Sequence, residues 1–119
     1  MSKELYFPQA IDWAQKRGFS NIKANWDDYE TPSQFSKPDE DKPFIPDITG
    51  RTAHGKVYVE IALKNDNIDR SMSKWKLMST LASMKGGKLF LLVPKGHKAF
   101  TTRMLRKSRL HNAQLVDLE

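Results

Sequence analysis

The sequence predicts a mixed α/β (α+β) fold, a single sheet with antiparallel and parallel strands flanked by helices. Three observations carry that prediction. Residues 56–64 alternate strictly, with Val57, Val59, Ile61 and Leu63 on one side and Tyr58, Glu60, Ala62 and Lys64 on the other, which is the period of a strand. Residues 88–93, K-L-F-L-L-V, are almost continuously apolar, as in a central strand covered on both faces. Between them Trp75, Met78, Leu81 and Ala82 fall on one helical stripe, with Met72 and Leu77 beside it. A strand–helix–strand passage of this kind makes its two strands parallel, through a right-handed crossover.

The other elements follow in order. Residues 5–17 place Ala10, Trp13 and Ala14 on one stripe and end in Lys16-Arg17-Gly18, a helix stop. Pro8 belongs in the first turn, where its missing N–H is harmless. Residues 19–26 read as a short strand in which Ile22, Ala24 and Trp26 alternate with Asn21, Lys23 and Asn25. A long acidic loop follows at about 27–44; its 27–42 stretch carries six acids, two lysines and two prolines, and no apolar period. It is either a solvated connector or a substrate-contacting arm, with Tyr29 and Phe35 as anchors. Pro46-Asp47-Ile48 opens a strand that turns through Gly50 and Gly55 into the alternating strand, giving a hairpin. Asp69 or Ser71 caps the crossover helix, which runs to about Lys85 and stops at Gly86-Gly87. Residues 97–110 form a basic helix with Phe100 and Met104 inward, and 113–118 a final short strand.

Composition narrows the function classes. The 119 residues fit one domain, spanning 1–119. Without cysteine there is no disulfide framework and no thiolate metal site. No apolar run is long enough for a membrane span and no apolar signal region follows the N-terminus, so a cytoplasmic protein is expected. The net charge of +6 divides unevenly, −2 over residues 1–60 and +8 over residues 61–119. That asymmetry suits a polyanion partner, and equally suits solubility alone.

The hairpin holds the chemical signal. Asp47 and Glu60 are 13 positions apart, yet folding the hairpin brings them side by side. Two carboxylates in an otherwise apolar hairpin are costly unless a cation or donor shares them. Taken singly, Asp47 could cap a turn after Pro46 and Glu60 could face solvent; taken jointly, with the order of elements around them, they point to a metal pair, active or vestigial. His54, His97 and His111 have no ligand spacing and read as surface histidines, and Trp13, Trp26 and Trp75 fall on core-facing positions.

A helix–strand–strand–strand–helix–strand order, with P-D-I-T-G opening the second strand, V-Y-V-E-I in the third and G-G-K-L-F-L-L-V after the helix, resembles the PD-(D/E)XK nuclease superfamily, which has the restriction-endonuclease-like fold. Within it the chain is most similar to small archaeal Holliday junction resolvases. The likeness covers residues 5–93, leaving a C-terminal helix and strand as additions. It implies a Mg²⁺-dependent (or Mn²⁺-dependent) DNA endonuclease in which Asp47, Glu60 and the backbone carbonyl of Ile61 hold the metal. It also implies a homodimer, since two cuts need two sites.

The sequence departs from that pattern at one place. The family lysine belongs two residues after the strand acid, where this chain has Ala62. Lys64 is the substitute on the same strand face, about 6–7 Å further along; Lys74 or Lys76 from the following helix is the second route. Lys74, Lys76, Lys95, Lys98, Arg103 and Arg106 are the expected contacts to a DNA backbone, which supply salt-dependent affinity without sequence information. Glu4 and Asp12 in the first helix, and Ser33 and Ser36 in the loop, match no motif closely enough to be given a role. The competing expectation is a catalytically silent protein of the same fold that binds nucleic acid or protein.

Overall fold

The computed structural model describes residues 3–65, 67–110 and 112–118. Its elements run in the order a 3₁₀ turn (Lys3–Tyr6), α1 (Phe7–Lys16), β1 (Ser20–Ala24), β2 (Ile48–Arg51), β3 (Lys56–Ile61), α2 (Ile68–Met84), β4 (Leu89–Pro94), α3 (Lys98–Ser108) and β5 (Ala113–Leu118). The strands form one five-stranded mixed sheet in the order β1-β2-β3-β4-β5. β1, β2 and β3 are antiparallel, and β4 lies parallel to both β3 and β5. Sequential strands are therefore neighbours throughout, and α2 and α3 each join a parallel pair. No helix among the described residues is long and apolar enough to cross a membrane.

The alternation in β3 has a direct structural reading. Val57, Val59, Ile61 and Leu63 pack in a cluster with Phe7, Ala10, Ile11 and Ala14 of α1. Tyr58 and Ala62 belong to a second cluster with Trp75, Met78 and Ala82 of α2 and Phe100 and Met104 of α3. The sheet is covered on both faces, so neither side of β3 reaches water. That rules out the solvent-facing alternative for Glu60, which is fully buried.

Local chemistry ends the elements where the packing needs them to end. Pro8 sits at the start of α1, as its missing donor requires. Asn67, rather than Asp69 or Ser71, caps α2: its side chain accepts from the Arg70 N–H at 3.3 Å, which leaves Asp69 and Ser71 inside the first turn. β1 is shorter than its alternation predicts and irregular within: Asn21 takes a left-handed conformation (φ 53°) and the pairing with β2 shifts register between Ser20 and Lys23.

The acidic loop is no free connector. Phe35 and Phe44 exchange backbone hydrogen bonds of 2.8 and 2.7 Å, and Phe44 is fully buried. Arg70 of α2 clasps the loop, donating to the Pro43 carbonyl at 3.0 Å and to Glu40 at 2.9 Å with its guanidinium 4.3 Å above the Phe44 ring. Tyr29 anchors the early part against Trp26, with ring centroids 6.3 Å apart.

Gly55 and Gly87 lock the hairpin tip against the end of α2. A Cβ on Gly55 (φ +151°) would fall 1.9 Å from the Lys85 carbonyl oxygen, and one on Gly87 would fall 1.7 Å from that of Lys56. Backbone meets backbone at both places, so no side chain can move aside. Gly87→Ala is expected to lower stability by about 2–3 kcal/mol. A urea melt shows this as a lower midpoint at unchanged slope, and an unchanged midpoint would contradict the close approach.

Candidate functional site: a buried carboxylate pair

The site starts from strand register. β2 and β3 pair Ile48 with Val59 and Thr49 with Tyr58, so the next step along the ladder sets Asp47 opposite Glu60. Ile48 and Val59 both join the α1-side cluster; the alternation of side chains therefore turns Asp47 and Glu60 to the opposite face. Both are buried, at 3 % and 0 % exposure.

Backbone groups hold the pair in place. The Asp47 N–H donates to Glu60 Oε2 at 2.7 Å, and the Ile61 N–H donates to Asp47 Oδ2 at 2.8 Å. Each carboxylate is thus fixed by the neighbouring strand.

Two lysines complete the cluster. Lys3 Nζ lies 2.8 Å from Asp47 Oδ2 and 3.8 Å from Glu60 Oε1. Lys74 Nζ, from α2, lies 2.8 Å from Glu60 Oε1 and 3.6 Å from Asp47 Oδ1. The Lys74 ammonium is the close partner of Glu60 Oε1, which accepts from no backbone N–H among the described residues. Glu60 lines a cavity of about 310 Å³ together with Lys3, Ile61, Lys64, Asn67 and Lys74.

Burial and charge set the protonation of the pair. For Asp47, desolvation pushes the pKa up, but Lys3 and Lys74 outweigh it and hold the carboxyl below its ordinary value. Glu60 moves the other way, raised by desolvation and by the Asp47 charge, against the pull of Lys74 and Lys3. Burial pulls the Lys3 ammonium down, and the two carboxylates more than offset this and raise it. The first proton taken up by the pair as pH falls belongs to Glu60, and Asp47 remains the anion.

Several expectations need correction here. Lys64 does not reach the carboxylates as the substitute lysine. β3 ends at Ile61 and its last pairing is the Ala62 N–H to the Leu92 carbonyl at 2.8 Å. Beyond that the chain leaves the sheet and period two no longer aims Lys64, whose exposed side chain lies at the rim of the cavity. Ala62 is fully buried in the α2-side cluster. Lys74 takes the position near the acids, while Lys76 is exposed. His97 is not a surface histidine: it is 6 % exposed, and its Nδ1 accepts from the Lys64 N–H at 2.8 Å, tying the start of α3 to the cavity rim. His111 lies outside the described residues.

Lys95, Lys98, Arg103 and Arg106 are all exposed. Lys95 and Lys98 line a larger cavity of about 760 Å³ at the carboxyl ends of β4 and β5, and Lys98 pairs there with Asp117 at 3.3 Å. Asp12 forms an exposed pair with Lys16 at 2.9 Å, Glu4 lies exposed in the 3₁₀ turn, and Ser33 and Ser36 are exposed in the loop. Lys3 had no signal in the sequence, because a lone lysine ahead of the first helix belongs to no periodic pattern. No group of three or more His, Cys, Asp or Glu residues able to hold a metal occurs among the described residues. No family model, curated protein or solved structure matches the chain.

The ion pairs make stability depend on pH through Asp47. Its folded-state pKa is lowered, so its contribution is complete above the ordinary range near 4 and is lost as pH falls through the folded value. Asp47→Asn is expected to cost about 3–5 kcal/mol at pH 7, since it leaves buried charge uncompensated. That difference from the native chain should narrow as pH is lowered through 4. Urea melts across pH test this; a cost that does not change with pH would assign it to packing instead.

Proposed function

We propose that the chain is a metal-dependent DNA endonuclease of the restriction-endonuclease-like type, with Asp47 and Glu60 as the metal-holding acids. One observation carries the reading: two buried carboxylates from adjacent strands meet side by side, each with a lysine ammonium 2.8 Å away, and Glu60 opens on a cavity. The helix–strand–strand–strand–helix–strand order around them agrees with it.

The donor set fits a hard divalent cation. Asp47 Oδ1 and Glu60 Oε1 are, among the described residues, the carboxylate oxygens without a backbone N–H partner, and both face the Lys74 ammonium, at 3.6 and 2.8 Å. Mg²⁺ takes one or two protein carboxylates and completes its shell with water and substrate phosphate. The Ile61 N–H leaves β3 on the edge facing Asp47, and the Ile61 carbonyl is the third candidate ligand. When bound, such an ion supplies Lewis-acid polarisation of the phosphodiester and eases deprotonation of water.

The remaining chemistry falls to side chains. Lys74, carried on α2 and 16 % exposed, presents its ammonium at the mouth of the acid pair. There it can hold a phosphate oxygen and steady the charge that grows on it during displacement. Asp47, kept anionic by its neighbours, preserves the negative field that draws the cation in. Lys76, Lys95, Lys98, Arg103 and Arg106 supply backbone contacts to DNA, and a homodimer of cytoplasmic chains remains part of this reading.

A second reading is favoured by the charge balance. Lys3 and Lys74 already neutralise both acids, which is what a catalytically silent nucleic-acid-binding or protein-binding module of this fold would need.

Cleavage of branched, duplex and single-stranded DNA with Mg²⁺ or Mn²⁺ separates the two readings. On the nuclease reading Asp47→Asn, Glu60→Gln and Lys74→Met each lower the rate by at least about a hundredfold, whereas Lys64→Met has a small effect. Native chain that cuts none of these substrates with either ion sinks the enzyme. DNA binding that weakens linearly in log–log salt plots and is reduced in an Arg103→Glu/Arg106→Glu double variant would then leave the binding module.

A further inference from the structure

The two lysines at the acid pair are held very differently. Lys74 is within the 17-residue helix α2, next to the buried Trp75, and its side chain is 16 % exposed. Lys3 comes from a four-residue 3₁₀ turn that contributes no buried residue, its side chain is 36 % exposed, and the nearby Leu5 is 74 % exposed. The Lys74 backbone is fixed in a packed helix, and less of its side chain reaches solvent. Moving Lys3 means turning one long side chain, or at most one short turn, out into solvent.

Both ammoniums stand against the place that a cation bound by both acids has to take: Lys74 Nζ is 2.8 Å from Glu60 Oε1 and 3.6 Å from Asp47 Oδ1, and the less firmly held of the two is Lys3. Its ammonium is 2.8 Å from Asp47 Oδ2 and 3.8 Å from Glu60 Oε1, and so touches one carboxylate and faces the other. A divalent ion ligated by Asp47 and Glu60 sits about 2.1 Å from their oxygens, which places it at or against the same position. A divalent ion crowded by two ammoniums is disfavoured by their repulsion, and the more exposed of the two, Lys3, is the one to withdraw. With both lysines in place the four charges sum to zero, so the metal-free cluster is stable as it is.

We propose that Lys3 and a divalent cation are alternative occupants of the Asp47–Glu60 pair, the ion entering only as the Lys3 ammonium swings out. This rests on the reading of Asp47 and Glu60 as metal-holding acids. Lys3 then acts as a tethered competitor that sets the affinity for the ion. Lys74, held by α2, stays beside the acids in both states. The exchange leaves Lys3 at the mouth of the cavity with its charge unpaired.

Calorimetric titration of the full chain with Mn²⁺ and with Mg²⁺ tests this, comparing the native chain with Lys3→Met, which keeps side-chain length without charge. The variant is expected to bind Mn²⁺ about tenfold more tightly or better, a difference of about 1.4 kcal/mol or more. Equal or weaker binding by a folded Lys3→Met chain overturns the proposal and leaves the metal-holding acids standing. If neither chain binds either ion, the metal reading fails and the exchange fails with it. Should Lys3→Met not fold, NMR of the lysine Cε groups in the native chain decides. At Mg²⁺ saturation the Lys3 resonance should move to the position of a free lysine, with a smaller change at Lys74. A Lys3 resonance unmoved while the Asp47 and Glu60 carboxylate signals shift would refute the exchange.

Discussion

Two short hydrogen bonds across one strand pair organise the centre of this protein. The Asp47 N–H meets Glu60 at 2.7 Å, and the Ile61 N–H meets Asp47 at 2.8 Å. Each strand thereby satisfies the acid of the other, and the bonds continue the β2–β3 ladder past its last backbone pair. They form in one register only. A slip of β2 by one residue would turn Asp47 to the α1 side, into a cluster of Phe7, Ile11, Val59 and Ile61, and part it from Glu60. The carboxylate pair and the register of the central hairpin are thus mutually dependent.

Burying two acids together is unfavourable, and the surrounding elements are arranged to offset it. α2 does two separate jobs through neighbouring basic residues. Lys74 brings a charge within 2.8 Å of Glu60, while Arg70, one turn earlier, pins the acidic loop through Glu40, the Pro43 carbonyl and the Phe44 ring. The loop in turn seats Phe44 in the cluster that contains Tyr58, Ala62 and Trp75. One helix thus fixes both the wall of the carboxylate cavity and part of the charge inside it. His97 adds a third tie through Lys64, holding the chain where it leaves β3.

The electrostatic outcome is asymmetric although the two acids are alike. Asp47 has an ammonium in hydrogen-bonding contact and stays anionic, whereas Glu60 is fully buried, beside a negative neighbour, and holds protons more tightly. A site that keeps one firm negative charge and one adjustable carboxyl is suited to exchanging one cation for another. On the proposed exchange, a metal ion replaces an ammonium according to how firmly the competing side chain is tethered. Here the two candidates differ sharply, since one rides on a helix and the other on a single short turn.

Much of this arrangement is local and so was legible in the chain itself. The period of two at 56–64, the apolar run at 88–93 and the helical stripe of Trp75, Met78 and Ala82 each report on neighbours within a few residues, and they determined the order of elements, the mixed α/β class and the convergence of Asp47 with Glu60. Charge partners are not local. Lys3 and Lys74 lie 44 and 27 residues from Asp47, and no periodicity links a lysine before the first helix to an acid at the start of β2. Lys64 looked suitable because strand alternation was extended past the point where the chain leaves the sheet, and His97 looked exposed because its partner is a backbone N–H from a distant connection. Backbone pattern follows from the order of side chains along the chain. The cations that neutralise a buried acid depend on which long side chains the packing of separate elements brings into reach, and only the tertiary structure decides that.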